Sequence, residues 1–179
     1  GGNDSGAVGY MKAMEKDTTL RIALKLKKLL ENAGATVIMT RTTDTSVASP
    51  NASDVDELQA RCDAANKANA DIFISIHNDS YTDSSADGTS TYYYEKDNGT
   101  SARLANCLRQ GIIAAVNTTD RGTKSCNFYV VKHTNMPASL AEVAFISNPA
   151  DAQLLTSDSG TDKFAAGLYN GINNFFSGT

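Results

Sequence analysis

The sequence predicts an α/β fold, a three-layer sandwich with helices covering a largely parallel sheet. Three observations carry that expectation. Short apolar runs rich in β-branched residues alternate with longer stretches whose apolar positions recur three or four residues apart. The breaks between them hold Gly, Asn, Asp and Ser, the residues that cap helices and make turns. The 179 residues contain no internal repeat and no linker-like stretch, which fits one domain over residues 1–179.

The chain opens on the loop-like "GGNDSGAVG". From Glu15 onward, Ile22, Leu26, Leu29, Leu30 and Ala33 share one helical face, and Gly34 stands where a helix ends in the left-handed conformation. "TVIMT" (36–40) predicts a strand, "DELQARCDAANKAN" (56–69) a helix, and "IFISI" (72–76) the strand after it. "GTSTYYYEK" (88–96) predicts a further strand, and "SARLANCLRQGIIAAV" (101–116) a helix with Leu104, Leu108, Ile112 and Ala115 on one side. "FYVVK" (128–132) and "LAEVAFI" (140–146) read as two more strands, and Phe164, Leu168, Ile172 and Phe175 mark a closing helix. Residues 43–57 and 78–88 are polar and turn-rich, which predicts surface loops.

Composition excludes some functions. A net charge of −4 offers no broad basic surface for nucleic acid or an anionic membrane, and "LKLKKLL" (24–30) reads as a solvated helix face. No apolar run reaches membrane-spanning length. Cys62, Cys107 and Cys126 lack metal-type spacing; the first two fall in helical patterns and are expected to be buried. They leave the redox compartment undecided.

Three residues stand out as chemistry. His77, one of only two histidines, closes an apolar strand and opens a loop, and α/β sheets bind ligands outside such strand ends. A lone histidine there is more simply a structural residue, so its partners decide. Glu15 begins the first helix, where the helix dipole alone would favour a glutamate. Glu142 lies inside the apolar strand "SLAEVAFISN", where a carboxylate must be paired, metal-bound, protonated or at an edge.

With these residues in place, the chain resembles the zinc-dependent N-acetylmuramoyl-L-alanine amidases of bacterial cell-wall lysis and remodelling, the amidase-3 type. "GGNDSGAVG", "EKD" (15–17), "TRTTD" (40–44), "ADIFISIHND", "DRGTK" (120–124) and "FYVVKHTNMPASLAEVAFISN" match in order over nearly the whole chain. The resemblance implies Glu15 and His77 as ligands of one Zn2+, Glu142 as the catalytic glutamate, and Asn135 and Met136 of "TNMPA" (134–138) as substrate contacts. His133, before "TNMPA", is not a ligand position in the family, and Asp79 stands where an asparagine is usual.

The family's remaining ligand is a histidine directly before the paired glycines, at the end of a first strand in a sheet of about six. Gly1 and Gly2 are the first residues here, so the expectation is a chain without that strand, with a gap or exposed edge beside its neighbours. The implied reaction is hydrolysis of the amide between the lactyl group of N-acetylmuramic acid and L-alanine of the stem peptide. The implied partner is peptidoglycan, for a monomer acting outside the cell in the bacterial wall. Two other readings stay open: a non-catalytic peptidoglycan-binding pseudoenzyme, and a zinc peptidase acting on wall peptides.

Overall fold

Helix α1 (Glu15–Asn32) buries Ile22 and Leu26 and ends where Gly34 adopts φ +89°, as the apolar spacing requires. It belongs to a computed structural model that describes residues 1–49 and 51–178. Helix α2 (Asp54–Ala68) starts on a capping box, in which Ser53 and Asp56 satisfy each other's backbone N–H groups, and ends at Asn69 in the left-handed conformation. Helix α3 (Thr100–Val116) and the closing α6 (Asp158–Ser177) cross in close contact and bury Leu104, Leu108, Phe164 and Leu168 completely.

The sheet holds β1 (Phe73–Asp79), β2 (Thr89–Tyr93), β3 (Asp120–Ser125) and β4 (Ala138–Phe145), in the order β1-β4-β2-β3. Strands β1 and β4 are parallel, β2 and β3 are parallel, and β4 meets β2 antiparallel. Side chains alternate across it. Ala141 and Val143 join Ile22, Leu108 and Phe164 beneath α1, α3 and α6; Phe73 and Leu140 join Cys62, Val130 and Met136 on the opposite face. This makes three layers. Each such large side chain contributes ~1.5–3 kcal/mol by its burial, and Phe164→Ala would cost ~3–5 kcal/mol.

Three expectations need correction. The sheet is mixed, because β2 runs against β4. "TVIMT" forms no ladder: residues 36–40 flank the edge of β1 that faces away from β4, and Ile38 is 54% exposed. Between this segment and β1 lies a groove of about 610 Å³ lined by Leu20, Ala23, Leu26, Ile72 and Ile74. Among the described residues β1 is bonded to β4 alone, so its other edge is open.

"FYVVK" is helical, as α4 (Tyr129–His133). A strand would send Val130 and Val131 to opposite faces, whereas the short helix buries both next to α2, where the Cys62 thiol donates to Val130 O. Two elements carry no apolar signal of their own. The polar "DRGTK" lies in edge strand β3, and α5 (Pro149–Thr156) is announced only by its Asn148 cap and Pro149 at the first turn. Cys62 and Cys107 are buried as expected, and all three cysteines are free.

Candidate active site

In β1, Phe73, Ser75 and His77 take one face while Ile74 and Ile76 take the other. His77 is level with Glu142 of β4, and Glu142 is level in turn with Ser90 of β2. A polar row therefore crosses three strands on the α2–α4 face, near the carboxyl ends of β1 and β4.

Glu15 reaches this row from the first turn of α1. Its Oε1 lies 2.8 Å from His77 Nδ1 and accepts the Asn78 N–H at 3.2 Å; its Oε2 accepts the Ala7 N–H at 2.9 Å. The opening loop passes so near that a Cβ on Gly6 would sit 2.6 Å from Glu15 Oε2, and Gly6 holds φ +63°. Glycine is required twice over there. Thr18 and Thr19 donate back to Glu15 O, and Thr18 also donates to Asn78 Oδ1, which locks the helix start to the end of β1.

The electrostatics follow from these contacts. Burial opposes the Glu15 charge, but the His77 hydrogen bond and charge and the N–H groups of Ala7 and Asn78 outweigh it and hold the carboxyl below its usual value. Burial likewise opposes a charged His77, yet hydrogen bonding to Glu15 and the Glu142 and Glu15 charges raise its pKa. For Glu142, burial raises the pKa from 4.5 to about 7; the His77 charge pulls it down, and Asp79 and Glu15 push it up. Glu142 Oε2 is buried without a hydrogen-bond partner; among the described residues Arg61 Nε shares that state. A carboxyl so placed can take or give a proton but is not spent on structure.

Glu15 and His77 also suit a metal. Carboxylate oxygen and imidazole nitrogen are both zinc donors, and two ligands of a tetrahedral zinc stand ~3.3 Å apart, only slightly more than this pair. Among the described residues no group of three or more His, Cys, Asp or Glu is placed to hold a metal. The pair offers two donor groups, where catalytic zinc usually takes three.

His133 lies elsewhere, at the end of α4, stacked on Tyr129 with ring centroids 4.0 Å apart. The structure does not bring Asn135 and Met136 to the cluster. They precede β4 at the amino end of the sheet, where Phe73 N bonds Pro137 O, and Glu142 is four residues further along than Ala138, about 13 Å. Met136 is buried against Cys62 and Phe73, and Asn135 N donates to Asn66 Oδ1. Asp79 spends its carboxylate on the Ser80 N–H. Ser75, whose Oγ lies 3.1 Å from His77 Nε2, was legible from the alternation in "FISIH"; Arg61, one of two cations on α2, was not.

Known proteins share this sequence pattern and fold. The amidase-3 family, described as N-acetylmuramoyl-L-alanine amidase, matches residues 1–174. The N-acetylmuramoyl-L-alanine amidase LytC of Bacillus subtilis is 36% identical over 98% of this chain, which spans 34% of its length. The germination-specific amidase of the same organism is 34% identical, with 98% of this chain and 76% of that one covered. Among solved structures, the CwlD amidase of Clostridioides difficile, determined in complex with the GerS lipoprotein, superposes with a TM-score of 0.92 at 33% identity, covering 100% of this chain and 95% of that one. The catalytic domain of CwlV from Bacillus (Paenibacillus) polymyxa var. colistinus gives 0.88 at 34% identity, covering 99% and 93%. The chain belongs to the N-acetylmuramoyl-L-alanine amidase family.

Proposed function

We propose that this chain hydrolyses the amide bond between the lactyl group of N-acetylmuramic acid and L-alanine in peptidoglycan, as a zinc enzyme of the bacterial cell wall. The observation that carries the reading is Glu142, a half-buried residue whose Oε2 is buried without a partner, level across the sheet with a histidine that pairs with a second glutamate. Relatives in Staphylococcus are named probable cell wall amidases. No helix among the described residues is long and apolar enough to cross a membrane.

Glu15 and His77 would hold the zinc, which when bound polarises a carbonyl and lowers the pKa of water to ~7. The N–H groups of Ala7 and Asn78 orient the Glu15 carboxylate for that task. A histidine ending a strand seated in the groove beside β1 would complete the donor set, as the family resemblance implies. Glu142 accepts a proton from the attacking water and delivers it to the departing L-alanine amine. Its pKa of about 7 places both protonation states within reach at neutral pH.

The test is product analysis on intact muropeptides. An amidase frees a peptide with a new amine on L-alanine and leaves a free lactyl carboxyl on the sugar. Cuts between amino acids, with L-alanine still on the sugar, would instead indicate a wall peptidase. Binding without any released amine would indicate a pseudoenzyme.

A further inference from the structure

A short hairpin leads straight into Glu15. Val8 and Met14 form an antiparallel bridge, Gly9 N donates to Ala13 O at 2.9 Å, and Ala13 N donates to Tyr10 O at 3.1 Å. Its turn residues Met11 and Lys12 hold φ of 54° and 62°. Backbone at positive φ is normally supplied by Gly or Asn, so this three-residue loop is an unusual place for Met and Lys. The hairpin is pinned to the sheet, since Tyr10 N donates to Ile146 O at 2.9 Å and a Cβ on Gly9 would fall 1.9 Å from the same oxygen. Ile146 N donates to Asp79 O, and Tyr81 N donates to Ser147 Oγ at 3.0 Å. Tyr10 and Tyr81 are therefore anchored on consecutive residues, beside the end of β1 that carries His77.

Their side chains face water. Tyr10 is 44% exposed, Tyr81 63%, Val8 56% and Met11 82%. Scattered apolar side chains on a surface need no explanation, but several on one rim of a site do. One cation, the exposed Lys12, stands in the turn itself; the others nearby belong to different segments: Lys16 pairs with Asp44 at 2.8 Å, Arg41 donates to Lys16 O, and Arg61 pairs with Glu57.

We propose that the rim formed by Tyr10, Met11 and Tyr81 is a glycan subsite, stacking on the sugar rings next to the muramic acid that carries the scissile amide. This rests on the amidase reading above. A glycan strand has uncharged ring faces whose C–H groups pack on tyrosine rings, while its hydroxyls stay in water and can bond the phenol tips. The stem peptide, with its carboxylates, suits the Lys16–Arg41–Arg61 segments better. Tyrosine also offers broad contact at low cost in conformational freedom, more so on a pinned hairpin.

The test is an NMR titration of the 15N-labelled protein with a tetrasaccharide of alternating N-acetylglucosamine and N-acetylmuramic acid, free of stem peptides. Shifts are expected at residues 8–14, Tyr81, Ile146 and Ser147. Affinity should fall about tenfold in the Tyr10→Ala/Tyr81→Ala double variant, while resonances of the buried core stay in place and show the variant folded. No binding, shifts confined to residues 41–49, or undiminished affinity in the variant would overturn the subsite, and the last two would leave the patch to a protein partner. Failure of the amidase reading looks different, because the unaltered protein would then release no L-alanine amine from muropeptides whatever its affinity for the tetrasaccharide.

Discussion

Glu142 is flanked in β4 by Ala141 and Val143, both fully buried, and its own carboxyl titrates near 7 because burial disfavours the charge. That placement costs stability. The folded pKa lies above the unfolded value, so the carboxyl is harmless to the fold below about 4.5 and increasingly costly as pH rises through about 7. Glu142→Gln removes the charge and with it this pH dependence. In metal-free protein the stability of the variant relative to the parent should grow by ~1–3 kcal/mol between pH 5 and pH 8. Urea unfolding at the two pH values measures it; a difference that does not change with pH would place the carboxyl in an ordinary solvated setting. Glu142 was legible in the sequence because a charge within an apolar strand is chemically conspicuous. The burial that shifts its pKa was not, since it depends on β1 and β2 lying on either side.

Among the elements, the helices were legible and the short apolar runs were not. Apolar spacing located α1, α2 and α3 to within a residue or two and marked the body of α6, because a long amphipathic stretch has one way to bury its stripe. "FYVVK" and "TVIMT" both read locally as strands, yet one packs as helix α4 and the other borders an open groove. Neighbours decide such runs, and neighbours are not written locally. The hairpin at residues 8–14 is a third case, with Met11 and Lys12 forced into left-handed conformations. Replacing them by Asn and Gly, which adopt positive φ more readily, should stabilise the fold by ~1 kcal/mol and raise Tm by ~2–4 °C. Calorimetry checks this, and an unchanged or lower Tm would mean that the turn is not strained.

For the whole molecule, the sheet's two ends of order differ. Strand β4 is bonded on both sides, by β1 and β2, whereas β1 is bonded on one. Among amides in the two strands, those of β1 turned toward the groove should exchange with solvent far faster than those of β4, without global unfolding. Equal protection by hydrogen–deuterium exchange would mean that something covers the edge. The site residues were legible singly from sequence, but their meeting was not. Glu15, His77 and Glu142 come from a helix start and two strands, and only the parallel β1–β4 register and the Gly6 approach bring them together. Asn135 and Met136 show the converse, since nearness in sequence to β4 placed them at its far end.

The central claim is that Glu142 moves the proton while Glu15 and His77 hold the metal. Release of L-alanine amino groups from intact peptidoglycan, measured together with bound zinc, tests it in the parent, Glu142→Gln and His77→Ala. The account predicts that Glu142→Gln keeps the parent's zinc content and loses ~10²–10⁴-fold in rate, and that His77→Ala loses zinc and activity together. A Glu142→Gln protein cleaving at the parental rate, or a His77→Ala protein that keeps both zinc and activity, would contradict it.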